Sequence, residues 1–548
     1  MFGWLRGYRA SWLPNDIVAG VTLAAYAIPV SLAYSTLAGL PPQVGVYGYL
    51  LGGVGYALFG SSRQLAVGPT SAISLMIAAS VGAMALGDMA RYAQIASLAA
   101  FTVAVLSVLS WLLRLSVIAL LISDSILVGF KIGAGLTIAM TQLPSLFGVP
   151  GGGHNFFERL VLLAGQIGQT QALVLAIGVV AVLLLLFGAR WLPGRPVALV
   201  VVALAIASAS LLGLAEKGVP VTGEIPAGLP SLSFPEVRLR DVEGIFPLAA
   251  GCLLLAYVES VSAARTFADK HRYTLDMRQE FLGIGAANFA AGLGQGYPVA
   301  GGLSQSAVND EAGAKTPLAL IVASVTLGLC LLYLTDLLES LPKAVLSAVV
   351  LTAILGLFDF RALGHMWRVS RIDFYAATIA LFAVLLLGIL HGILLAAFAS
   401  VALLLMRVSR PHVAFLGRVP GTQSYSDAAR HPDNELSRHA IVVRPEASLI
   451  YVNAAAVLEA IQSRLKALES SAVRVMICDL SASAFIDLAG SRMLNELHGE
   501  LDKRGIALRI VGARSYVRDF LRADGLGEKV GPIDRAATIH ELVAEAER

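Results

Sequence analysis

The sequence predicts a polytopic α-helical membrane protein with 14 segments in two inverted sets of seven, followed by a soluble α/β domain. Three observations predict it. The chain of 548 residues is 57% hydrophobic and only 14% charged, with mean hydropathy +0.75. Such values fit a membrane protein and exclude an ordinary soluble enzyme. Apolar runs recur between residues 16 and 407, with lengths that suit tilted helices of about 20 residues. Beyond Arg410 they give way to short strand and helix patterns.

In chain order, the first set of segments is predicted at 16–38, 43–60, 70–87, 92–113, 117–142, 170–188 and 196–214. The second is predicted at 245–268, 279–295, 303–309, 317–334, 342–358, 373–389 and 391–407. An odd number per set requires the sets to be inverted relative to one another. The weakest boundary is Gly388 to Gly392, between the last two segments. The domain reading is an N-terminus over 1–15, a first repeat over 16–214, an extracytoplasmic loop over 215–244 and a second repeat over 245–408, then a linker over 409–438 and a soluble domain over 439–548.

Loop charges orient the chain. With a cytoplasmic N-terminus, one side holds Arg63, Arg114, Arg190, Arg195, Arg265, Lys270, Arg272, Arg278, Lys315, Arg361, Arg368, Arg371, Arg407 and Arg410. The other mixes Arg91, Arg159, Lys217, Arg238 and Arg240 with Asp88, Glu158, Glu216, Glu224, Glu236 and Asp241. The Lys/Arg excess favours the cytoplasmic side, and an even number of segments returns the C-terminus there. The N-terminus, with Arg6 and Arg9 before Asp16, lacks a cleavable signal pattern, so the first run is expected to stay as a helix. The cysteines, Cys252, Cys330 and Cys478, are expected to form neither a disulfide nor a metal site.

Two stretches break the pattern. Gly294 to Asn309 (GQGYPVAGGLSQSAVN) is too short, glycine-rich and polar to span alone, and Arg63 to Ser74 (RQLAVGPTSAIS) is its counterpart roughly 230 residues earlier. Each has an extended lead-in, a Gly or Pro break, then hydroxyl residues opening a helix. Unwound backbone at membrane depth is tolerated only inside protein or beside a water-filled cavity. A matched pair of breaks is the best sequence pointer to a transporter's substrate site. Their helix N-termini offer free N–H groups and the positive end of a dipole. Thr70, Ser71 and Ala72 would present one end; Gly302, Leu303, Ser304, Gln305 and Ser306 would present the other. Two such ends can hold an anion without a full positive charge. The alternative is that these residues only cap and pack two short helices.

Glu259 sits in an otherwise uncharged run, CLLLAYVESVSAA. An intramembrane carboxylate is a functional-site hypothesis by default, because desolvation disfavours a carboxylate's charged form and lets it exchange a proton. The alternative is a structural partner for a Lys or Arg. Lys131, Asp124, Asp269 and Lys270 read as helix-end or interdomain charges. Asn288 and Asn309 read as interhelical hydrogen-bonding groups, and His391 as packing at a break.

In the soluble part, strands are predicted at Ala440–Arg444, Leu449–Val452, Val473–Leu480 and Ala507–Val511, with helices at Ala455–Leu468, Ser491–Arg504 and Val517–Arg522. Alternation of this kind implies a sheet covered by helices.

The motifs LAYSTLAGLPPQVGVYG (32–48), SSRQLAVGPTSA (61–72), YVESVSAARTFADKHRYTLDMRQEFLGIGAANFAAGL (257–293) and GGLSQSAVNDEAGAKTPLA (301–319) resemble the sulfate permease (SulP) family of anion transporters. LIYVNAA (449–455) and VMICDLSASAFIDLAGSRML (475–494) resemble the STAS domain that family carries. The resemblance implies a core and a gate domain, a substrate site between the third and tenth segments, an ion-coupling role for Glu259 and a homodimer. It departs from the family's pattern at Gln305, where many relatives have Arg, and after Pro29, where Val30 and Ser31 replace a glutamine-hydroxyl pair. Tyr26 would line the cavity from the first helix; the alternative is core packing. In the STAS loop Ile486-Asp487-Leu488-Ala489-Gly490 no hydroxyl follows Asp487, so phosphorylation there is not expected. The bland reading of that domain is folding, trafficking or dimer contact. The other is ligand sensing, for example of a nucleotide near Gly490.

The resulting expectation is a transporter importing a small oxyanion, sulfate first, by proton symport with elevator-type alternating access. Bicarbonate or a C4-dicarboxylate, sodium coupling, and an uncoupled exchanger or channel are the alternatives. The expected setting is a bacterial inner membrane, with no cofactor and no nucleic-acid partner. No Walker motif, metal cluster or Ser/His/Asp arrangement points to an enzyme.

Overall fold

A computed structural model describes residues 3–115, 123–153, 155–191, 197–223, 225–467, 472–533 and 535–548. The opening of the fifth predicted segment (117–122), Arg195, Glu224 and Leu468 lie outside the described residues. The chain divides into two units, Met1–Ser400 and Val401–Arg548.

The first unit begins with α1 (Leu13–Leu37), α2 (Pro42–Phe59), β1 (Val67–Gly68), α3 (Ser71–Ala85), α4 (Met89–Leu112), α5 (Asp124–Phe147), α6 (Phe156–Gln166), α7 (Ala172–Trp191) and α8 (Val197–Leu211). It continues with α9 (Leu239–His271), α10 (Met277–Leu293), β2 (Ala300–Gly301), α11 (Leu303–Glu311), α12 (Leu318–Tyr333), α13 (Thr335–Leu338), α14 (Lys343–Ile354), α15 (Phe360–Val369) and α16 (Arg371–Leu387), and the division falls within α17 (Ile389–Ser409). Each of the fourteen apolar runs contains a helix. Among the described residues, seven helical stretches are long and apolar enough to cross a membrane, and Ser71–Ala85, Val197–Leu211 and Leu318–Tyr333 are shorter apolar helices. The chain is a multi-pass membrane protein.

Small residues let these helices approach closely, as membrane packing without a water-driven force requires. A Cβ on Gly45 would lie 2.1 Å from the Ser31 carbonyl oxygen, locking α2 to α1; one on Gly55 would lie 2.3 Å from that of Ala286, locking α2 to α10. The same approach joins α5 to α16, where a Cβ on Gly129 would lie 1.8 Å from the Ala377 carbonyl oxygen.

Several boundaries depart from the sequence reading. α9 opens at Leu239, six residues early, because the polar Asp241 is buried in a salt bridge with Arg91 of α4. That shortens the expected loop over 215–244. Gly388, at φ 83°, alone separates α16 from α17. α6 and α15 were not anticipated, since their charged residues hid them from an apolar-run reading.

In the second unit the sheet runs β4 (Tyr425–Asp427), β3 (Val413–Arg418), β5 (Ala440–Pro445), β6 (Val475–Asp479), β7 (Ala507–Val511). β3 pairs antiparallel with β4 and β5, whereas β5, β6 and β7 are parallel. Alternation sorts the faces: Val443, Met476, Cys478, Leu508 and Ile510 pack under α18 (Ala454–Ala467), α19 (Leu488–Asp502), α20 (Ser515–Ala523) and α21 (Leu526–Val530). Ala414, Leu416, Val442 and Ile477 pack against Val543 of α22 (Ile539–Glu547) on the other face. Two expectations fail here. The stretch over 409–438 is not merely a linker: its prolines flank β3 and β4 rather than interrupt them. Leu449–Val452 is not a strand. Leu449 makes one isolated bridge to Ile486, and Asn453 turns the chain by accepting from the Ile450 N–H.

Candidate functional site

The two breaks meet. β1 and β2 pair antiparallel, Val67 opposite Gly301 and Gly68 opposite Ala300. The pairing satisfies backbone groups that hydrocarbon could not. Beyond the strands, extended Thr70 precedes α3 and extended Gly302 precedes α11.

Equivalent side chains brace each break. Ser74 donates to the Thr70 carbonyl at 2.8 Å, and Ser306 donates to the Gly302 carbonyl at 2.7 Å. Each lies four residues past its cap, and each also reaches the other lead-in. The Ser306 hydroxyl accepts from the Ala66 N–H at 2.9 Å, and Ser74 shares a 2.9 Å hydrogen bond with the Tyr297 hydroxyl. Gly302 N–H donates to Ala66 O at 3.2 Å. From the flanking helices, Asn288 of α10 donates to Val299 O and accepts from Val299 N–H, while Asn309 of α11 donates to Gln64 O. Both asparagines hydrogen-bond as expected, but to the extended lead-ins rather than from helix to helix.

The candidate ligands divide into two groups. Ser306 is fully buried and its hydroxyl is spent on the backbone. Gln305 is buried and donates to Pro69 O at 2.9 Å, leaving its Oε1 buried without a hydrogen bond. Thr70 Oγ1 is also buried without a hydrogen bond of ordinary geometry. Ala72 is buried, whereas Ser71 and Gly302 are partly open and Leu303 and Ser304 are exposed. Tyr26 is half-buried on α1. Partly open or exposed residues therefore lie beside closed braces at both helix ends.

α9 supplies the acid. Ser260 Oγ accepts from Gly301 N–H at 2.8 Å, fixing α9 against β2. One residue earlier, half-buried Glu259 interacts with Thr70 and, at longer range, with Lys131 of α5. The pair with Lys131 does not close into a salt bridge among the described residues. A carboxylate beside Thr70 occupies the same positive helix end that an anion would use.

Sequence reasoning missed three residues here. Tyr34, buried on α1 eight positions after Tyr26, lies in electrostatic reach of Ser71, Glu259 and Tyr297. Tyr297 braces α3. Glu280 of α10, fully buried, accepts from Tyr56 Oη at 2.8 Å, Ser61 Oγ at 2.7 Å and Ser61 N–H at 2.9 Å. Its signal was present in the sequence, as an acid inside an apolar run. Lys270 and His271 instead pair with Asp310 of α11, as helix-end charges. In the second unit, Asp487 caps α19, accepting from Gly490 N–H and Tyr451 N–H. That helix end already holds a carboxylate, which disfavours a second anion such as a nucleotide there.

Comparison with known proteins places this geometry. The profile of the Sulfate permease family matches residues 13–380, and that of the STAS domain matches residues 431–546. The chain is 34% identical over 533 residues to "Probable sulfate transporter Rv1739c" of Mycobacterium tuberculosis, covering 96% of this chain and 94% of that one. It is 30% identical over 563 residues to "Sulfate transporter 4.1, chloroplastic" of Arabidopsis thaliana, covering 99% and 81%. Murine Solute Carrier 26 family member A9, an anion transporter solved in the inward-facing state, superposes with a TM-score of 0.89 at 22% identity, covering 99% of this chain and 93% of that one. The transmembrane domain of the cyanobacterial bicarbonate transporter BicA gives 0.61 at 21% identity, covering 72% and 98%. These relatives are transporters and not enzymes. With its braced pair of broken helices and its C-terminal STAS domain, this chain belongs to the sulfate permease family.

Proposed function

We propose that the protein is a secondary active transporter that imports a small inorganic oxyanion, sulfate foremost, together with a proton. The carrying observation is the antiparallel pairing of β1 and β2, which sets two helix N-termini at one locus. The anion would lie against Thr70, Ser71 and Ala72 at one end and Gly302, Leu303 and Ser304 at the other, with Tyr26 and Tyr34 lining the approach. Gln305 and Ser306 hold that geometry from behind.

Coupling follows from the place of Glu259. Ionised, it competes with the substrate for the α3 helix end; protonated, it releases that end. Anion and proton then load together. Two inverted repeats, related by the equal spacing of Thr70–Gly302 and Ser74–Ser306, would move the site in an elevator-type step. The N-terminus and the STAS domain are assigned to the cytoplasm of a bacterial inner membrane by the Lys/Arg distribution, and the assembly to a homodimer. Sodium is less favoured, because Ala263, one turn after Glu259, offers no oxygen ligand.

A second reading, bicarbonate or a C4-dicarboxylate, is favoured by one feature: neutral Gln305 supplies no fixed charge to select a divalent anion. Proteoliposomes offered labelled sulfate, bicarbonate and fumarate, with and without an inward proton gradient, separate these readings. Sulfate uptake driven by the gradient and abolished in Ser304→Arg and Gly302→Trp is the expected result. Normal uptake in both variants would discard the site.

A further inference from the structure

A polar cavity, of about 380 Å³, lies one to two turns along α3 from the helix end at Ser71. Leu75 and Ala78 form its floor, about 6–10 Å from Ser71 at 1.5 Å per residue. The C-terminal ends of α1 and α5, the N-terminal end of α14, and α6 enclose it. Its polar lining includes Gln142 and Ser145 of α5, Ser347 of α14, and two cations, Arg159 of α6 and Lys343 of α14.

Arg159 Nε donates to the Gly153 carbonyl at 3.1 Å, and among the described residues no carboxylate forms a salt bridge with Arg159 or Lys343. Burial lowers Arg159 from the usual guanidinium range, with the preceding Glu158 partly offsetting it, yet an arginine stays charged at any working pH. A partly desolvated guanidinium without a counter-ion favours an anion. Low-dielectric walls lined by one sign of charge focus field lines and raise the local concentration of the opposite ion.

We infer that this cavity is an outer loading site for the transported oxyanion, in which Arg159 and Lys343 gather the anion before it reaches the paired helix ends. The inference rests on the proposed anion import and on a cytoplasmic N-terminus, which puts the end of α1 on the extracytoplasmic side. It adds two positioning cations on elements outside the broken helices. One of them lies on α6, a helix that an apolar-run reading does not see. Hydroxyl and amide groups of α5 and α14 would replace part of the anion's water as it enters.

The test is sulfate uptake by intact cells and by proteoliposomes, with the external ionic strength varied. Arg159→Gln and Lys343→Gln are expected to raise the half-saturating sulfate concentration by about three- to tenfold at low salt and to flatten its salt dependence. Charge-conserving Arg159→Lys and Lys343→Arg should restore both. Lys343→Cys adds sidedness. External treatment with an impermeant anionic methanethiosulfonate should raise half-saturation further, and a cationic reagent should bring it back. Wild-type half-saturation and salt dependence in both glutamine variants would overturn the inference, as would equal effects of the two reagents. A wild-type protein that takes up no sulfate would instead count against the proposed function. Lys343 is exposed, so its variants remain informative if Arg159→Gln does not fold.

Discussion

Gln305 Nε2 donates to the Pro69 carbonyl at 2.9 Å, fastening the first turn of α11 to the residue that breaks the chain before α3. The Oε1 of the same amide is buried and unpaired. One neutral side chain thus spans both halves. Gln305→Arg should therefore raise the preference for divalent over monovalent oxyanions, read as the ratio of sulfate to bicarbonate inhibition constants. Gln305→Glu should suppress uptake of both, because an added carboxylate repels the substrate at close range.

Ser306 and Ser304 lie two residues apart but differ in role, one buried and bonded to backbone, the other exposed. Ser306→Ala strands the buried Ala66 N–H, at a cost of about 1–3 kcal/mol. A clear fall in melting temperature in detergent is expected, with loss of uptake following from it. Ser304→Ala, at an exposed position, should leave melting unchanged and weaken half-saturation instead. Thermal denaturation run beside uptake separates the two.

With the proposed proton coupling, Glu259 is expected to set the pH dependence of uptake. Glu259→Gln mimics the protonated form, so the α3 helix end stays open to the anion at every pH. Counterflow exchange of labelled sulfate should persist, while accumulation driven by a proton gradient disappears. Retained gradient-driven accumulation would assign Glu259 to structure, as a partner of Lys131.

The helices and both breaks were legible because hydrocarbon imposes length and polarity rules that composition alone reveals. The equivalence of Thr70 with Gly302, and of Ser74 with Ser306, emerged only from the hydrogen bonds that brace each break. The sequence could not show which hydroxyls are spent. Ser306 and Ser304 look alike in GGLSQSAVN, and only the register Val67–Gly301 turns one inward to Ala66. Nor could it place Tyr34 and Tyr297, whose roles depend on contacts across more than 200 positions. Strands β3 and β4 were hidden because their prolines and polar residues match a linker's composition. Cross-strand pairing, which sets strand identity there, is non-local.

Glu280 offers the sharpest stability test. Its carboxylate accepts from Tyr56, from the Ser61 hydroxyl and from the Ser61 N–H, and Tyr56 Oη in turn accepts from Ser62 N–H at 3.2 Å. Nearby Gln279 donates to Phe59 O at 2.6 Å. The loop that delivers β1 is therefore clamped to the start of α10 by acceptors that must stay acceptors. Glu280→Gln places an amide donor against donors, removing at least one bond and forcing another apart. Each buried group left unsatisfied costs about 1–3 kcal/mol, so a drop in melting temperature and poor yield are expected. Tyr56→Phe removes one donor only and should cost about 1–3 kcal/mol. Because β1 carries the approach to Thr70, the milder variant should also slow sulfate uptake while keeping its pH dependence intact. A Tyr56→Phe protein with a shifted pH profile would move the proton-carrying role from Glu259 to Glu280.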